Sequence, residues 1–142
     1  MMQFVSPDRL ASEVTRRLSS AGSVIIPTKG ASMIPFIIGE DRVELVRLGR
    51  MLAVGLVVLA RTETRGVVLH RVVDIKGEKI TMMGDGNLSL REKCKVSDLI
   101  GIATYIIMRD GSKRYIYTRR RQMVWQFWYR CLPIRRWLLR LV

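Results

Sequence analysis

The chain carries one histidine, His70, and two cysteines, Cys94 and Cys131, in 142 residues. Two thiols cannot build a disulfide framework. One histidine and two widely spaced cysteines fall short of a tetrahedral zinc site. No metal and no cofactor is expected. Long apolar runs are missing too: none reaches the roughly 18 residues that span a bilayer. The longest, Met51 to Ala60, is closed at its ends by Arg50 and Arg61 and reads as a buried strand. The opening MMQFVSPDRL lacks a basic stretch leading into an apolar one, so no signal peptide is expected. The cytoplasm is then the default location. Acid is scarce, with 12 Asp or Glu against 25 Lys or Arg and a net charge of +13. Nine of those thirteen positive charges fall between Ser112 and Val142, where no acid occurs. A block of that kind points to contact with a polyanion, nucleic acid or an anionic membrane surface, the alternative being a solvated basic tail.

What is present suits one folded domain. Hydrophobic residues make up 49% and charged residues 26%, the composition of a chain that buries a core. Ser6-Pro7-Asp8 is a helix start: a cap, a proline at the first helical position and an acid at the positive end of the dipole. Leu10, Val14 and Leu18 then share one helical face, and Ala21-Gly22 closes it. This predicts a helix over 6–20. Short β-branched or alternating runs follow: Ser23 to Pro27, Arg42 to Val46, Met51 to Ala60, Val67 to Ile75, Lys79 to Met83 and Leu99 to Met108. Lys76-Gly77-Glu78 predicts a hairpin turn. The expected architecture is mainly β, with an N-terminal helix and a basic amphipathic helical C-terminal tail. Residues 1–111 are read as the β-rich domain and 112–142 as the tail.

Three stretches carry possible chemistry. Gly30-Ala31-Ser32-Met33-Ile34-Pro35 follows a strand and leads into a turn, so Ser32 sits where a hydroxyl can be presented. Alone, it is also an ordinary turn serine. Gly66-Val67-Val68-Leu69-His70-Arg71-Val72-Val73 places the lone histidine in an apolar strand, where the ring needs a partner. Imidazole titrates near neutrality and suits the role of base to a serine hydroxyl. Gly84-Asp85-Gly86-Asn87, followed by Glu92, is a turn whose acids can tie loops together.

Taken in order, Gly-x-Ser-Met-x-Pro, then His-Arg-Val-Val, then Gly-Asp-x-Asn resembles the signal-peptidase superfamily, which includes type I signal peptidases and the self-cleaving LexA-like repressors. The likeness runs from about Val24 to Thr104 and is nearest to the histidine-base branch and to short bacterial members without a membrane anchor. It implies a β-rich fold and a serine endopeptidase. Ser32 then matches the nucleophile, His70 the general base, and Glu92 or Asp85 the orienting acid. Gly30 and the backbone of Ser32 match the oxyanion turn, and Met33 and Pro35 the substrate-binding positions. The chain departs from that pattern at Gly30, where many relatives carry a serine, at Gly55-Leu56, where Gly-Asp is usual, and at Arg91, where direct counting expects the acid.

The resemblance implies a peptide or protein precursor as substrate, cut after small residues in an extended segment. The alternative is a catalytically inactive peptide-binding or regulatory domain of the same fold. Along the tail, Ile134, Trp137, Leu138 and Leu141 recur at helical spacing, with Arg135, Arg136 and Arg140 elsewhere on the wheel. Arg119 to Val142 therefore reads as one or two helices lying on an anionic membrane surface, with Trp125, Phe127, Trp128, Trp137 and Leu138 as its apolar side. That would hold the protein peripherally at the inner face of the membrane. The other reading has the tail dock on its own sheet. Nucleic acid is disfavoured as partner, because the aromatics fall on a helical apolar face. Nothing in the sequence sets an oligomeric state.

Overall fold

The structure is a computed structural model that describes residues 6–28, 33, 36–37, 41–49, 52–63, 65–86 and 91–131. The fold is mainly β: of the described residues 44% are strand and 27% helical, with one helix near each end. Helix α1 (Pro7–Ala21) starts and stops as its sequence predicts. The Ser6 hydroxyl accepts the Arg9 N–H, and Gly22, at φ 81°, donates its N–H to the Leu18 carbonyl. The Arg47 guanidinium donates to the Ser19 carbonyl near the helix end and adds a second bond to the Leu18 carbonyl.

Among the described residues, eight antiparallel strands form one curled sheet: β1 (Ser23–Pro27), β2 (Arg42–Val46), β3 (Val57–Thr62), β4 (Gly66–Lys76), β5 (Lys79–Met83), β6 (Glu92–Lys95), β7 (Leu99–Ile107) and β8 (Lys113–Tyr115). Their spatial order is β1-β2-β7-β3-β4-β5-β6, with β8 paired to β7. Each face of the sheet carries a core. Val14 and Leu18 of α1 pack with Val24, Val43, Leu45, Val57 and Leu59 on one side. Val58, Ala60, Val72, Ile80, Met82, Cys94 and Ile102 pack on the other. β3 supplies both cores through alternate residues, which is why its sequence is apolar without alternation.

Three expectations shift. The run from Met51 is not all strand: Val54 and Gly55 turn the chain, with Gly55 at φ 101°, and β3 begins only at Val57. The sequence pattern does not reveal β6, because its inward residues are Glu92 and Cys94 while lysines face out. An acid on the core side erases the hydropathy alternation that marks a half-buried strand. Nor does it reveal β8, which carries the sheet past residue 111, so the packed unit continues beyond the boundary expected there. Ile116 joins the first core. The half-buried Tyr117 accepts the Val57 N–H on its hydroxyl at 2.9 Å and donates to the Ala103 carbonyl at 2.5 Å, joining β3 to β7. Burial pushes that phenol up to about 12, so it remains a neutral donor.

Helix α2 (Arg119–Arg130) starts at Thr118, whose hydroxyl accepts the Arg121 N–H. Trp125 and Trp128 are buried, whereas Met123, Val124 and Phe127 are exposed. Two of the aromatics assigned to an outward apolar side therefore belong to the core. The stretch from Ile134 to Leu141 lies outside the described residues. No helix among the described residues is long and apolar enough to cross a membrane.

Candidate functional site

β4 places two buried polar side chains back to back. Along a strand, successive residues face opposite sides. Leu69 and Val67 pack on the first core, Val68 and Val72 on the second. His70 therefore faces the second core and Arg71 the first. Both are 3% exposed.

The partner of His70 comes from β6. Val72 pairs with Met82, and Met82 with Glu92, so the three lie in one cross-strand row. His70 precedes Val72 by two residues on the same face, which brings it diagonally over β5 towards Glu92. His70 Nδ1 lies 2.9 Å from Glu92 Oε1, with side-chain exposures of 4% and 3%. The approach is short but poorly aligned, and neither Nδ1 nor Glu92 Oε2 has a partner in hydrogen-bond geometry among the described residues. Buried polar atoms in that condition stand out in native structures, where such groups are nearly always paired.

A second charge stands nearby. Arg65 Nη1 lies 3.4 Å from the same Glu92 oxygen, with its side chain half exposed. The β3–β4 hairpin positions it: the Thr62 hydroxyl accepts the Arg65 N–H and donates to the Gly66 carbonyl, and Gly66 turns at φ 68°. Sequence reasoning misses Arg65, because a hairpin arginine carries no mark of a buried neighbour.

Burial pushes the His70 imidazole below its ordinary value, Glu92 raises it, Arg65 lowers it further, and Asp85 raises it. The net direction is down, so the ring is neutral near neutrality and fit to accept a proton. A test of stability follows from the sign. The folded state binds this proton less readily than the unfolded chain. Its contribution is therefore complete above the unfolded value of about 6.5 and is lost progressively below it, as pH falls through the lower folded-state value. Wild type is expected to lose more stability on acidification than His70→Gln in parallel urea titrations. Equal acid sensitivity in the two proteins would refute the assignment.

Asp85 has a different partner. Its carboxylate accepts from Arg71 Nε at 2.9 Å and Nη2 at 2.7 Å, and Arg71 Nη1 donates to the Gly55 carbonyl at 2.9 Å. The guanidinium sits 5.3 Å from the Phe36 ring centre and 5.0 Å from the Trp125 ring. Trp128 Nε1 donates to the Asp85 carbonyl at 2.7 Å, and the Asp85 N–H meets the Met33 sulfur at 3.5 Å. Of the two candidate acids, Glu92 lies against His70, and Asp85 holds Arg71.

Met33 is itself a core residue, 4% exposed, and its carbonyl accepts the N–H groups of Phe36 and Ile37. Its side chain is spent on packing. Gly30, Ser32, Pro35 and Asn87 lie outside the described residues. Among the described residues, no three His, Cys, Asp or Glu side chains converge as a metal site.

No family model, no curated protein and no solved structure matches this chain.

Proposed function

We propose that the chain is a serine endopeptidase in which His70 and Glu92 serve Ser32. The observation that carries this reading is the buried Glu92 carboxylate 2.9 Å from His70 Nδ1. A carboxylate on that side favours the tautomer with its proton on Nδ1 and leaves Nε2 free to act as base. The sequence order Gly-x-Ser-Met-x-Pro before a His-Arg strand supplies the nucleophile.

The chemistry is acyl transfer. Nε2 of His70 takes the Ser32 hydroxyl proton as the oxygen attacks a peptide carbonyl. Glu92 steadies the imidazolium that forms, and the backbone N–H of Ser32 donates to the oxyanion. The imidazolium returns its proton to the departing amine. Water, deprotonated by the same ring, then releases the acyl group from Ser32. The substrate class is a peptide or protein precursor presenting an extended segment.

A competing reading is a peptide-binding domain without turnover. The misalignment of the His70–Glu92 contact favours it, although such contacts often tighten only when substrate is bound. A fluorophosphonate probe separates the two. Wild type is expected to label, and neither Ser32→Ala nor His70→Ala should, with all three folded by circular dichroism. Absence of labelling in wild type would favour the binding domain. Labelling of Ser32→Ala at the wild-type level would refute Ser32 as nucleophile.

A further inference from the structure

We propose that the outward face of α2 docks on an anionic membrane surface. The inward face is already committed: Trp125 and Trp128 are buried against the Arg71–Asp85 pair. What remains outward is not the polar surface of an ordinary helix. Met123, Val124 and Phe127 are 63%, 50% and 67% exposed. At 3.6 residues per turn, Met123 and Phe127 occupy the centre of that face. Arg119 and Arg130 fall on one flank, and Arg120 and Val124 on the other. All three arginines are exposed.

An apolar centre between cationic flanks fits a surface with phosphate at one level and hydrocarbon beneath it. The chain itself supplies no acid along this stretch, from Ser112 to Val142. The sequence beyond α2 continues the same composition with Arg135, Arg136, Arg140, Trp137 and three leucines from Leu138 to Leu141. Nucleic acid fits less well. It would draw on several rings free to stack, and this face offers Phe127 alone at its centre, both helical tryptophans being buried, while methionine and valine gain nothing from phosphate. Phe36, on the segment that follows Ser32, packs edge-on against Trp128. Docking through α2 would therefore hold that segment close to the bilayer. The inference stands without the peptidase reading, and its test does not use activity.

Full-length protein is sedimented with vesicles of equal parts phosphatidylglycerol and phosphatidylcholine, and with phosphatidylcholine alone. Binding is expected only to the anionic vesicles and should weaken as salt is raised. Each arginine replaced among Arg119, Arg120 and Arg130 should weaken it about fivefold. Met123→Ser with Phe127→Ser should weaken it at least about tenfold. Both residues are exposed, so this double variant should unfold at the wild-type temperature. The proposal fails if wild type ignores anionic vesicles at low salt, or binds both vesicles equally. It also fails if the double variant binds like wild type. Equal retention of that variant and wild type on a DNA oligonucleotide would then assign the patch to nucleic acid.

Discussion

Glu92→Gln is expected to slow phosphonylation of Ser32 by a fluorophosphonate about 10⁴-fold, the scale on which loss of the carboxylate cripples Ser–His–acid sites. Glutamine keeps the volume of a side chain that is 3% exposed, so the packing beside His70 survives. The charge does not. An imidazolium forming beside Arg65 would lose the one carboxylate placed 2.9 Å from its Nδ1. The amide can also present its NH₂ to Nδ1, which moves the ring proton to Nε2 and removes the base. The pH profile distinguishes this from a merely structural loss. Glu92 raises the His70 pKa, so the residual rate should keep its acid limb at lower pH than in wild type. Arg65→Gln should move the limb the other way, because Arg65 lowers it. If Glu92→Gln reacts at the wild-type rate with an unchanged profile, Glu92 is a packing residue and a Ser–His dyad is the better description.

How much of this is readable without the fold depends on where side-chain identity and burial agree. α1 is legible because its cap, its Leu10-Val14-Leu18 stripe and its closing Gly22 all point one way. The β4–β5 hairpin is legible from Lys76-Gly77-Glu78, which turns with Gly77 at φ 60°. β6 is not, because its core positions are an acid and a thiol. The same fact hides the choice between Glu92 and Asp85. One lies in a glycine-rich turn and the other shortly after it. Only the pairing of β6 with β5, together with the bulge between Val72 and Asp74, brings Glu92 under His70. In α2 the helical pattern is visible but its orientation is not. Aromatics occur on both sides, and the indole bond from Trp128 to the Asp85 carbonyl decides which side turns in.

Asp85, whose carboxylate holds the buried Arg71, is the position where substitution should cost most stability. Asp85→Ala is expected to destabilise the fold by about 3–5 kcal/mol, because it strands the buried Arg71 cation without its carboxylate. The guanidinium keeps the Gly55 carbonyl and its two aromatic neighbours, but these cannot replace two charge-assisted bonds in a site that is 3% exposed. The pair is also where three pieces of chain meet. Gly55 comes from the turn before β3, Met33 and Phe36 from the segment after Ser32, and Trp125 and Trp128 from α2. Loosening it should therefore release α2 before the sheet, visible as faster amide exchange in 119–130 than in β3 and β4. Arg71→Met combined with Asp85→Leu removes both charges at similar volume and should recover most of the loss. Urea unfolding with an unchanged slope reads each difference. A cost below about 1 kcal/mol for Asp85→Ala, or a double variant as unstable as the single one, would mean that the pair does not organise this junction.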